Sequence, residues 1–121
     1  MDKSISFSGI RDKATLLASS LTFGTDEGKV CKVTANQTVG LCADNDRFHG
    51  VIETIERDNA FCVVTKTGYV TLDYTGADPS AGIVKLEADA SGEVKVDATN
   101  GIEYLVVDVD TTGKKVTLFL G

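Results

Sequence analysis

"GVIETIERDNAFCVVTKTGYVTLDY", residues 50–74, decides the fold. β-Branched and aromatic side chains fill it, Arg57-Asp58-Asn59 breaks it once and Gly68 breaks it again. Such runs fit a pleated, half-buried surface, and such breaks fit chain reversals. The stretch reads as three short strands, Phe48–Glu56, Phe61–Thr67 and Tyr69–Tyr74, joined by tight turns. In the third, Val70, Leu72 and Tyr74 share one face while Tyr69, Thr71 and Asp73 share the other, the period of two of a strand with one buried side. Almost nothing in these residues is reactive, which points to a scaffold that holds onto other protein.

The same rhythm continues toward the C-terminus. Glycines at 50, 68, 76, 82, 92, 101, 113 and 121 fall close to the 8–12-residue spacing of strand and turn in all-β sandwiches and barrels. Further strands are read at Gly82–Glu87, Glu93–Val96, Glu103–Asp110 and Lys115–Leu120. A hairpin is expected at Asp89-Ala90-Ser91-Gly92, and another at Asp110-Thr111-Thr112-Gly113. Across the second, Leu105, Val107 and Val109 are expected to meet Val116, Leu118 and Leu120. The single proline, Pro79, lies in a loop, so no strand interior carries the residue that breaks ladders.

Toward the N-terminus the pattern loosens. Val30–Thr34 and Thr38–Ala43 read as strands joined at Ala35-Asn36-Gln37, with Gly40 marking a bulge or a close backbone approach. Ile10–Leu21 fits one helical face through Ile10, Leu16, Leu17 and Leu21, yet Ser19, Ser20 and Thr22 also suit extended chain, so both conformations stay open. Asp2–Phe7, with Ile5 and Phe7 on one side and Ser4 and Ser6 on the other, reads as a short strand or arm. The division is therefore an N-terminal arm and lead-in over 1–27 and one β-domain over 28–121: a small antiparallel β-barrel or β-sandwich.

Composition bounds the function. A chain of 121 residues, 42% hydrophobic and 25% charged, fits one globular domain that buries roughly two thirds of its unfolded surface. The longest strictly apolar run is Ala60–Val64, far short of the ~20 residues of a membrane-spanning helix. The first residues lack the apolar core, roughly 7–15 residues, of a secretory signal. Net charge is −6 with Lys and Arg scattered, a surface that repels phosphate backbones and anionic lipid. Neither nucleic acid nor membrane is an expected partner.

Candidate chemistry is sparse. Cys31, Cys42 and Cys62 are too few and too far apart for a disulfide framework and are expected to be reduced, with Cys62 a small core hydrophobe. His49 is the lone histidine, and no ligand spacing suited to zinc appears. Asp108-Val109-Asp110-Thr111-Thr112-Gly113 imitates the front of a calcium loop, but the position of its closing glutamate is Phe119. It also imitates the D-x-D-x-T motif of a phosphatase superfamily, yet only eight residues follow Gly113 where an α/β domain is needed. Asp44-Asn45-Asp46 reads as an Asx turn. No metal, no cofactor, no catalytic residue and no enzymatic activity are expected.

From Gly28 onward, "GKVCKVTANQTVGLCADNDRFHGVIETIERDNAFCVVTKTGYVTL" resembles the opening of small phage and prophage capsid-cement, or head-decoration, proteins. The likeness rests on Gly28–Val33, on Gly50-Val51, and on Val63 to Val70 around Gly68. "GIVKLEADASGEVKVDATNGIEYLVVDVDTTGKKVTLFL" is similar to that family's second half. The resemblance implies a bacteriophage structural protein, made in the host cytoplasm, that sits on the virion exterior and stabilises the shell. It also implies the major capsid protein as partner, trimers as the oligomer, and an arm whose Ser4, Ile5, Ser6 and Phe7 add a strand to an exposed sheet edge. A carbohydrate- or host-surface-binding module of a fibre or tail is the competing reading, with Tyr69, Tyr74 and Tyr104 as its aromatic candidates.

Overall fold

The computed structural model describes residues 12–120. The protein is all-β: β1 (Asp12–Ala18), β2 (Val30–Ala35), β3 (Thr38–Leu41), β4 (Gly50–Ile55), β5 (Phe61–Thr75), β6 (Gly82–Ala88), β7 (Val94–Val96), β8 (Ile102–Asp110) and β9 (Lys115–Leu120). No helix long and apolar enough to cross a membrane occurs among the described residues.

The strand pairings form two circuits that share β5. The first runs β1-β3-β2-β4-β5 and returns to β1; the second runs β5-β7-β6-β8-β9 and returns to β5. Every pairing is antiparallel except β1–β3 and β5–β7, one in each circuit. Parity explains this. Five strands that alternate in direction cannot close with opposed neighbours all round, so one pair in each ring must run parallel. Each parallel seam is only two residue pairs long, as is β2–β4, so the rings are completed loosely.

β5 departs from the reading of two strands with a turn at Gly68. It is one strand of 15 residues that pairs with β1 and β4 through Phe61–Thr67 and with β9 through Gly68–Asp73. Gly68 takes φ 114°, open to glycine and costly for other residues, at the point where β5 leaves one circuit for the next. The β1 register also shifts there, leaving Lys66 as the extra residue of a bulge. What reads as punctuation in sequence is a corner within one strand.

Alternation supplies two cores. Leu21, Cys31, Val39, Ile52, Ile55, Cys62 and Val64 fill the first circuit. Val70, Leu72, Tyr74, Leu86, Val106, Val116, Leu118 and Leu120 lie within the second. β2 and β4 form the wall between them: Cys31 and Ile52 point into the first core, and their neighbours Val30 and Val51 into the second. A strand buried on both faces reads as an unbroken apolar run, which is why the alternation weakens there.

The lead-in belongs to this fold. Ile10–Leu21, open between helix and strand in sequence, contains β1, whose Lys13–Leu17 pair with β5. The buried Asp26 then ties residues 22–29 down, accepting the Thr22 N–H and the Lys29 ammonium, each at 2.8 Å. Gly40 is a close approach, 3.2 Å from the Ser19 carbonyl oxygen for an added Cβ, while the bulge lies on the neighbouring strand β2, at Thr34.

Candidate docking surface

β8 carries the feature that most affects the surface. Its register against β9 shifts between Val106 and Asp108, so Val107 is an extra residue. Val109 faces the core as expected, but on the other side of the bulge Tyr104 and Val106 face inward and Leu105 is turned out, 43% exposed. The inward assignment of Leu105 and Val107 is thereby corrected. Val116, Leu118 and Leu120 are buried as expected.

Leu105 completes a line. Cross-strand partners run Ile83 to Leu105, Leu105 to Phe119, and Phe119 to Tyr69, one residue from each of β6, β8, β9 and β5. Ile83 is 63% and Phe119 41% exposed, and the Tyr69 and Phe119 rings meet edge to face at 5.3 Å. Polar pairs flank the row: Lys85 opposite Glu103 on one side, and on the other Thr71 hydrogen-bonded to Thr117 at 2.9 Å, with Lys115 bound to Asp73 beyond. An apolar stripe with a polar rim on a rigid sheet has the make-up of a protein-binding surface.

Beside its two middle members, Leu105 and Phe119, the row borders a groove of about 630 Å³. Phe48, from the β3–β4 connection, stacks on Tyr104 with ring centroids 4.8 Å apart, and Leu105 and Phe119 continue the wall. Arg47 and Lys66 line the groove as its bases, with Asp12 and Glu103 as the acids. The connection is held in place by two backbone bonds to β6, Asn45 N–H to the Ala88 carbonyl and Ala88 N–H to the Asp46 carbonyl, each 2.9 Å.

The other candidates resolve into structural roles. His49 is exposed, and its Nδ1 accepts the Val33 N–H at 3.0 Å. Asp46 accepts the Ala43 N–H at 2.8 Å and the Lys32 ammonium at 2.5 Å, while Asp44 accepts Lys95 at 2.7 Å, so 44–46 is a turn with both carboxylates engaged. Asp110 Oδ1 accepts the N–H groups of Thr112 and Gly113 in the expected hairpin, and Asp89 Oδ1 those of Ser91 and Glu93 in the other. Among the described residues no three metal-ligating side chains gather.

All three cysteines are free and buried. Desolvation pushes the Cys31 thiol up to about 12 and Cys42 to about 11, and raises Cys62 as well. Thiols so protonated are packing groups at neutral pH. Glu87, nearly inaccessible, is shifted upward by burial and then by the neighbouring Asp97 carboxyl, against the pull of Lys95 at 3.8 Å. Tyr74 is a core residue whose hydroxyl donates to Asp78 at 2.7 Å, and Tyr104 packs against the same core. Ser4, Ile5, Ser6 and Phe7 lie outside the described residues.

No protein-family model matches the chain, and no curated protein sequence matches it.

Proposed function

We propose that this protein is a non-enzymatic structural component that binds the outside of a phage capsid and stabilises the shell by bridging major capsid subunits. The observation that carries the reading is the apolar row Ile83, Leu105, Phe119 and Tyr69 across four paired strands, rimmed by charge pairs and hydroxyls. Full burial of a leucine is worth about 1.5–3 kcal/mol; at 43% exposure Leu105 forgoes the smaller part of that, and a partner surface recovers it. The two circuits, locked through β5, provide a stiff body behind that face. The sequence resemblance supplies the capsid as partner, and net charge of −6 suits the exterior better than contact with packaged DNA.

Mechanically, several modest contacts engaged at once on neighbouring subunits give avidity far beyond any single one. Residues Ser4–Phe7, as the resemblance implies, would add a strand to an exposed sheet edge of a neighbouring subunit. The test is co-sedimentation of the full chain with purified capsids, followed by heating. The native protein is expected to co-pellet and raise the disruption temperature, and Leu105→Asp/Phe119→Asp to do neither while keeping its amide spectrum. Unchanged pelleting of that double variant rules out the row as the contact.

A further inference from the structure

The cations of this acidic chain are nearly all spoken for. Six of the described lysines are each bonded to a carboxylate. Arg57 instead lies over the Phe23 ring, 5.8 Å from its centroid, and Lys85 stands opposite Glu103. Arg47 and Lys66 remain, without a carboxylate partner among the described residues, and both line the groove.

Lys66 and His49 also line a second cavity, of about 230 Å³. Leu16, Cys31, Val39 and Val64 form its apolar wall, and Val33, which lines it too, is 53% exposed. Every strand from β1 to β5 contributes a residue, so the cavity reaches the core of the first circuit. Lys66 stands between cavity and groove as the extra residue of the β5 bulge, and bulges re-aim side chains. The Nδ1 of His49 accepts the Val33 N–H, so its ring hydrogen sits on Nε2.

An apolar cavity beside two unpaired cations calls for an aliphatic group with carboxylates next to it. A small acid would leave most of the groove open, whereas an extended chain fills both spaces. In such a chain residues two apart share a face, about 6.6 Å from one another. We propose that cavity and groove together bind an extended acidic segment of a protein partner, with an aliphatic side chain in the cavity and acidic residues two positions away on Lys66 and Arg47. No residue of the cavity belongs to the apolar row, so this goes beyond the shell-docking reading and stands or falls without it.

Titration of the native protein with the capped peptide Asp-Thr-Leu-Thr-Asp, followed by methyl and amide resonances, tests it. Expected are saturable shifts of the Val39 and Val64 methyl groups below about 10 mM peptide. Alanine in place of the peptide's leucine should weaken binding about tenfold, since three buried carbons are lost. Asparagine in place of both aspartates should weaken it about threefold. In Arg47→Met/Lys66→Met, two exposed positions, the aspartate and asparagine peptides should bind alike while the core methyl resonances stay in place. Three results overturn the proposal: no saturable shift at those methyl groups, equal binding of the aspartate and asparagine peptides by the native protein, or hexanoate binding as tightly as the peptide. The last gives the cavity to a small aliphatic acid.

Discussion

The two circuits share a strand and a topology but differ in how firmly they are built. The first encloses seven buried core residues among those described, two of them cysteines, while the second encloses fourteen, including Tyr74 and the stacked Phe48. The second is knit by a six-pair ladder between β5 and β9 and a five-pair ladder between β6 and β8. In the first, β3 reaches β1 only at Leu17 and Ala18, so among the described residues Asp12–Leu16 have a strand on one side alone. Regions with fewer buried apolar contacts open at lower free energy. The second circuit is thus the rigid platform that presents the apolar row, and the first is the part expected to give way.

Core truncation breaks the comparison most sharply. Leu118→Ala and Ile52→Ala each remove a fully buried side chain, and each is expected to cost about 2–5 kcal/mol in denaturant unfolding. Amide exchange separates them: Leu118→Ala should lower protection in both circuits, whereas Ile52→Ala should strip β1 to β4 and leave β6, β8 and β9 protected. Equal loss everywhere in both variants means that the circuits open as one unit.

A methyl group at Gly50 tests the wall between the cores. An added Cβ there falls 2.6 Å from a Val64 methyl and 2.9 Å from the Thr65 carbonyl oxygen. Gly50→Ala should cost roughly 1–3 kcal/mol, seen as a lower urea midpoint. Asp89→Ala is expected to fall in a similar range, about 1–3 kcal/mol, because Thr75, Ser91 and Glu93 all donate to that buried carboxylate. Burial opposes its ionisation, but those bonds prevail and hold it below the usual aspartate range. Its contribution is therefore present at neutral pH and lost as pH falls through the acid range; the deficit of Asp89→Ala should shrink on acidification.

The thiols sharpen the comparison without mutation. Cys31 and Cys62 sit in the first core and Cys42 in the second. Below the unfolding midpoint, Cys31 and Cys62 should react with a disulfide reagent at least tenfold faster than Cys42, a difference of about 1.4 kcal/mol in opening. Mass mapping of the labelled sites reads the order, and reaction of Cys42 first would reverse the assignment of the weaker half.

The smallest effect is at Glu87. Its pKa is raised on folding, so the folded state binds the proton more tightly and stability declines as pH rises through the folded value. Glu87→Gln should therefore be slightly more stable than the native protein at pH 7, with the advantage fading as pH drops and Glu87 protonates in both states. A thermal melt series between pH 4 and 7 checks the sign.

Local pattern carried much of the fold. The rhythm of β-branched runs and glycines marked the strands from β4 to β9, and Asp89 and Asp110 announced their hairpins because their roles are satisfied within a few residues of chain. Phe119 was legible as outward-facing once Leu118 and Leu120 were assigned inward. Leu105 was not, because a bulge adds a residue without changing residue type, and only pairing with β9 reveals that Val107 is the extra one. The row as a whole depends on registers among four strands, which no single run of residues carries.

By itself, then, the sequence determined an all-β chain, its hairpins, the buried Cys62 and the inward face of β9, since each follows from spacing over a few residues. Tertiary structure alone decided that β5 bends through Gly68 as one strand, that each five-membered circuit closes through a parallel seam, and that Leu105 joins Ile83, Phe119 and Tyr69 outside. Those outcomes rest on which strand lies beside which, a long-range pairing that no local alternation of side chains specifies.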